Sequence, residues 1–221
     1  MNKLSLNLLL HHKLALFFLL VLFSWVLQFV SNEMIISDEV WYTTYGEQLS
    51  LEQIDGIIEW NATYWWFSYL ITPIILLIKV LLITFSLIIG GILFDISLSF
   101  FKTIGIVLIT EFIFLIPSAI QLTWFTFFEN IHSLNDLISF TPWNVFYYIN
   151  KEDVLEWFIY PLSLINFFEI LFVSILTYLV RRVLIEKTED QNKAFKIVAY
   201  GYGSGLVTWV VFITFLSIQY T

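Results

Sequence analysis

Five stretches of this chain, residues 14–30, 66–94, 104–127, 158–180 and 197–218, are apolar for about as long as a bilayer is thick. A membrane-crossing helix needs roughly 20 mostly apolar residues, and none of these runs shows the ten-residue alternation of a transmembrane β-strand. Composition agrees. The 221 residues are 59% hydrophobic and only 13% charged, whereas a soluble domain is about 25% charged. That much apolar surface does not fit one water-facing core of this size, so lipid must be the solvent for much of it. The expected fold is an all-α integral membrane protein, a single membrane domain over 1–221 built as a bundle of five transmembrane helices. Its outer loops would be residues 31–64 and 128–157.

The first run follows a basic start, Lys3 and Lys13, like a secretory signal. It is long, however, and Phe29-Val30-Ser31-Asn32 makes a poor small-residue cleavage site, so it reads as a retained anchor. If five spans alternate, Lys3, Lys13, Lys102, Arg181, Arg182, Lys187, Lys193 and Lys196 all fall on one side. The other side has only Lys151. The positive-inside rule then puts the N-terminus in the cytoplasm and the C-terminus outside.

Residues 31–64 hold seven acids (Glu33, Asp38, Glu39, Glu47, Glu52, Asp55 and Glu59) and no Lys or Arg. Ser50-Leu51-Glu52-Gln53 has the spacing of a helix capping box, and Leu51, Ile54, Ile57 and Ile58 form a helical stripe. A short helix on the membrane surface is expected there. Such acidic runs are usually solvated faces. Asn61-Ala62-Thr63 is a glycosylation triplet too close to the membrane to be used. In 128–157, Phe140, Trp143, Phe146, Tyr147, Tyr148 and Trp157 suit the bilayer interface.

Ionisable residues inside the apolar runs carry the functional interest. Lys79, Glu111 and Glu169 each lie within a different run, where a charge is costly and normally faces a partner or a wet cavity. Thr72, Lys79 and Ser86 recur at intervals of about two helical turns and share a face. Glu111, Ser118 and Gln121 line up similarly, as do Ser163, Asn166, Glu169 and Thr177. The expected interior cluster is therefore Lys79, Glu111, Glu169, Asn166 and Gln121. In one reading Lys79 pairs with Glu169 or Glu111 and fixes helix register. In the other, the spare carboxyl binds or relays a proton or cation. Gly201 and Gly205 form a GxxxG pair that permits close helix packing. Arg181, Arg182, Lys187, Lys193 and Lys196 are placed to meet anionic headgroups.

Enzyme chemistry finds little footing. With no cysteine, thiolate catalysis and thiolate metal sites are excluded. Gly201-Tyr202-Gly203-Ser204-Gly205 invites comparison with intramembrane serine proteases, but Tyr202 stands where their motif needs glycine, and His11, His12 and His132 all lie outside the runs. No HExxH or phosphate-binding glycine pattern occurs. The chain is expected to be non-enzymatic, with no cofactor and no metal, and its net charge of −8 does not favour nucleic acid.

Residues 94–121, FDISLSFFKTIGIVLITEFIFLIPSAIQ, give a short turn followed by a run with an acid and a central proline. Together with Asn166, Glu169 and the glycine-rich start of the last run, they resemble the Yip-type (Ypt/Rab-interacting protein) five-span family in its bacterial branch. The long N-terminal region and Asp-Leu-Tyr-Gly-Pro stretch of the eukaryotic members are missing, so GTPase binding does not carry over. The resemblance implies a scaffold or accessory subunit of a membrane assembly or of a trafficking or export process, with a protein partner or a second copy in the bilayer, and composition and brevity suggest a bacterial inner membrane. The alternative is a small proton- or cation-coupled transporter or permease subunit using the Lys/Glu cluster.

Overall fold

A computed structural model describes residues 10–149, 154–185 and 192–220, and over these it is helical. In chain order the helices are α1 (Lys13–Met34), α2 (Asp38–Tyr45), α3 (Leu51–Leu93), α4 (Phe100–Glu111), α5 (Leu115–Phe127), α6 (Leu134–Ser139), α7 (Glu156–Ser163), α8 (Phe167–Leu179) and α9 (Lys193–Tyr220). A 3-10 turn, Phe112–Phe114, joins α4 to α5, and a π-helical turn, Val180–Leu184, closes α8.

Four helical stretches among the described residues are long and apolar enough to cross a membrane: Lys13–Glu33, Leu51–Leu93, Phe100–Phe127 and Lys193–Ile218. The expected five-span bundle is thereby corrected to four. The run at 158–180 is the one that fails. Its helix stops at Ser163 and restarts at Phe167, leaving pieces of 8 and 13 residues. The π-helical turn Val180–Leu184 prolongs the second piece, but it adds Arg181 and Arg182 to a segment that already carries Glu169.

Local chemistry explains the break. Pro161 cannot donate a helical hydrogen bond. Ser163 turns its hydroxyl onto the Tyr160 carbonyl at 2.7 Å, and Asn166 donates to the Ser163 carbonyl at 3.1 Å. Asn166 then takes extended backbone angles and its Oδ1 accepts the Glu169 N–H at 2.7 Å, as a helix N-cap does. The opened backbone pairs with another segment: Val145 N–H donates to the Ile165 carbonyl at 3.1 Å and Phe167 N–H to the Trp143 carbonyl at 2.9 Å. With this run broken, alternation of the spans no longer places the N-terminus in the cytoplasm and the C-terminus outside.

The start of the second span also moves. Ser50 and Gln53 cap α3 reciprocally, Ser50 N–H reaching Gln53 Oε1 at 2.9 Å and Gln53 N–H reaching Ser50 Oγ at 3.4 Å. The surface helix expected after them runs on into the apolar stretch, giving one 43-residue helix with a kink at Tyr64.

The chain divides into two compact units. The first comprises Met1–Leu20, Leu77–Ile113 and Trp143–Thr221. Its centre is made by Leu87 of α3, Ile106 of α4, Phe172 and Leu176 of α8 and Ile197 of α9, all fully buried. Helices α3 and α9 meet at backbone contact. A Cβ on Gly90 would come within 2.5 Å of the Ile197 carbonyl, and one on Gly201 within 2.6 Å of the Ser86 carbonyl. One end of this unit is basic. Lys13 at the start of α1 lies 5.3 Å from the Phe101 ring at the start of α4, and Lys193 at the start of α9 donates to the Phe94 carbonyl just past α3 at 3.1 Å.

The second unit comprises Val21–Leu76 and Phe114–Pro142. Trp25 Nε1 donates to the Tyr69 carbonyl at 2.9 Å. The Thr43 hydroxyl donates to the His132 carbonyl, and Thr44 Oγ1 accepts the Leu134 N–H at 2.8 Å, so α2 holds the start of α6. Asp136 caps α6. Burial alone would raise its carboxyl, but the Ser133 and His132 N–H groups and the Ser133 hydroxyl outweigh this and hold it below the usual carboxylate range.

Candidate functional site

The site lies in the first unit, where α3, α4, α8 and α9 each contribute one polar side chain. Lys79 Nζ donates to Glu111 Oε2 at 2.8 Å. The two partners differ in their surroundings: the glutamate side chain is 2% exposed and the lysine 42%. Glu111 Oε1 is buried and accepts no hydrogen bond. Among the described residues the only other buried side-chain oxygens in that state are the hydroxyls of Thr177 and Thr214.

The position of Glu111 has a sequence cause. It is the last residue of α4, immediately before the 3-10 turn. Pro117 lacks an N–H for the Ile113 carbonyl, and its ring crowds that carbonyl. The helix therefore tightens just after Glu111.

Glu169 enters from α8. Asn166 caps that helix three residues earlier, so Glu169 stands in the first turn, where the helix dipole presents positive partial charge. Its Oε1 accepts from the hydroxyl of Tyr202 on α9. The Tyr202 ring lies 5.2 Å from that of Phe172, one turn beyond Glu169 on α8. Lys79 attracts both carboxylates, the carboxylates repel one another, and Tyr202 feels both of them and Tyr160. Tyr160 in turn accepts a hydrogen bond from Trp209 Nε1 at 2.8 Å.

Lys79, Glu111 and Tyr202 lie at similar distances along their helices. Lys79 is 14 residues from the end of α3, Glu111 is 11 from the start of α4, and Tyr202 is nine from the start of α9. At 1.5 Å per residue these are roughly 14 to 21 Å from the basic end, comparable with half of a hydrocarbon layer about 30 Å thick.

The remaining expected site residues are distributed differently. Asn166 serves the site through the backbone of Glu169 and the start of α8. Gln121 belongs to the second unit, where its Nε2 donates to the Leu137 carbonyl. Gly201 and Gly205 both face Ser86 of α3, so the GxxxG pair packs helices of one chain together. Arg181 and Lys196 are exposed, Arg182 donates to the Tyr178 hydroxyl, and Lys193 is held by the Phe94 carbonyl. Lys187 lies outside the described residues.

The residue that sequence reading passed over is Tyr202. In the sequence it stands out only as a departure from a protease motif. Its signal is an aromatic hydroxyl flanked by Gly201 and Gly203 within an apolar run. Ser204, the serine of that motif, donates to the Gly201 carbonyl of its own helix at 3.0 Å. Among the described residues, no group of three His, Cys, Asp or Glu is placed to hold a metal ion.

No protein-family description, curated protein or solved structure matches this chain. The arrangement itself is a polytopic, mostly helical membrane protein in which one lysine, two glutamates and a tyrosine gather in the first unit, with one glutamate oxygen buried and unbonded.

Proposed function

We propose that this protein is a small proton- or cation-coupled transporter, or a permease subunit, working through Lys79, Glu111, Glu169 and Tyr202. The observation that carries the reading is the unpaired Oε1 of Glu111, a carboxyl oxygen shut away from solvent with spare acceptor capacity. An ion pair whose only task was to hold two helices together would be expected to satisfy such an atom, because an unmet buried acceptor costs about 1–3 kcal/mol. Intramembrane acids with spare capacity are the usual stations of ion and proton pathways.

Four spans enclose little on their own, so a second copy or a partner subunit completes the pathway. Arg181 and Lys196 at the basic end meet anionic headgroups, and the composition suits a bacterial cytoplasmic membrane. The scaffold or accessory role implied by the Yip-type resemblance has no comparable atom in its support.

The test is flux in proteoliposomes under an imposed proton or alkali-cation gradient. The wild-type chain should conduct above empty vesicles, and Glu111→Gln and Glu169→Gln should each reduce the flux at least tenfold. Wild-type flux equal to that of empty vesicles would overturn the proposal.

A further inference from the structure

The packing differs in kind on the two sides of the Glu169–Tyr202 contact. Toward the basic end, α8 packs against α4 and α9. Phe172 and Leu176 on α8, Ile106 and Val107 on α4, and Ile197 and Val198 on α9 are all fully buried there. The hydroxyls in this layer are turned onto their own helices. Thr84 donates to the Val80 carbonyl at 2.7 Å, and Thr103 and Thr110 donate to the Ser99 and Ile106 carbonyls at 2.9 and 2.8 Å. Thr177 Oγ1 is enclosed as well.

Away from the basic end the packing is polar and looser. Tyr160 and Ser163 are three residues apart on α7 and share a face, and α7 packs on α9. The Tyr160 hydroxyl accepts from Trp209 Nε1 at 2.8 Å, and Trp209 stands about two turns beyond Tyr202. Tyr160, Ser163, Asn166 and Glu169 are each half-buried, whereas Glu111 is sealed. The backbone between Ser163 and Phe167 leaves the helix. Within a bilayer such backbone is tolerated inside protein or beside water.

We propose that Glu169 is the port of the site: water reaches it between α7 and α9 from the end opposite the basic residues, while the buried layer beyond Glu169 closes the path to the basic end. Tyr202 stands at the boundary, its hydroxyl on Glu169 and its ring on Phe172. The proton or cation of the transport reading then exchanges at Glu169, and from that end. The route of water stands on the packing, and only what it delivers rests on the transport reading.

The chain has no cysteine, so single cysteines report the route. A membrane-impermeant maleimide is applied to either face of vesicles holding the full chain. Ser163→Cys lies on the polar face of α7, and Lys196→Cys marks the basic end. Ile165→Cys, in the break, and Val207→Cys, between Tyr202 and Trp209 on α9, are more exposed on the protein than Ser163 but face acyl chains. Ser163→Cys should react from the face opposite to the one that modifies Lys196→Cys, at least tenfold faster than Ile165→Cys or Val207→Cys. The wild type supplies a second measurement that needs no variant to fold. Amine coupling by a water-soluble carbodiimide, read by peptide mass spectrometry, should modify Glu169 and leave Glu111 untouched.

A folded Ser163→Cys chain that reacts from neither face would overturn the inference, and so would reaction from the Lys196→Cys face. Comparable reaction at Ile165→Cys and Val207→Cys would overturn it too, by placing that whole level outside the hydrocarbon. If Ser163→Cys does not fold, the wild-type coupling decides, and any pattern other than Glu169 alone of the pair counts against the port. The expected reactivity without flux would sink transport and leave the route standing. Flux with an unreactive Ser163→Cys would do the reverse.

Discussion

At the residue scale the Lys79–Glu111 pair is asymmetric, and the two ways of disturbing it should differ. Removing the ammonium alone leaves Glu111 as a buried charge without its partner, a change that typically costs about 3–5 kcal/mol. Removing both charges leaves a neutral contact. In mild detergent, Lys79→Met should lower the unfolding temperature markedly, and adding Glu111→Gln should restore most of the loss. Equal destabilisation by the single and double variants would show that the pair is not coupled. The Tyr202 hydroxyl adds a hydrogen bond to Glu169 while its ring packs on Phe172, so aromatic packing and charge placement meet in one side chain.

At the scale of elements, closeness between α3 and α9 depends on what glycine lacks. A Cβ on Gly201 would collide with the Ser86 backbone, whereas one on Gly203 would meet nothing within 4 Å. Two substitutions in one helix turn should therefore part company. Gly201→Val should give little monodisperse protein on size exclusion, and Gly203→Ala should behave as wild type. The break between α7 and α8 shows the same principle in the opposite sense. Residues 158–180 read as an apolar run, yet Pro161 lacks a backbone N–H and Ser163 and Asn166 spend their hydrogen-bonding capacity on local turns, which ends the helix.

At the scale of the molecule, α3 is longer than any bilayer requires. Its 43 residues extend about 64 Å, twice the roughly 30 Å of hydrocarbon. Glu52, Asp55 and Glu59 lie on its first part, and exposed Trp60, Tyr64, Trp65 and Trp66 follow around the kink. Such aromatics favour the headgroup level, so the arm before Tyr64 lies outside the hydrocarbon. The chain has no cysteine, which makes the position readable. In intact vesicles, a water-soluble maleimide should modify Gly56→Cys readily from the side to which the arm is exposed and should leave Ile75→Cys unreacted, although both positions are exposed on the protein. Comparable reaction at both would place the arm and the apolar segment in the same environment.

The sequence by itself determined that this is a helical protein living in lipid. That property is set by how many apolar side chains occur in succession, and neighbours in space do not alter it. It also marked Lys79, Glu111 and Glu169, because an ionised group among twenty apolar ones is conspicuous wherever the helix is placed. Only the tertiary structure decided the number of spans, since a break made by three local hydrogen bonds disappears in an average over twenty residues. It alone gave Lys79 to Glu111 and Tyr202 to Glu169, because which helices lie side by side depends on packing such as the glycine contact of α3 and α9, and no periodicity within one helix records its neighbour.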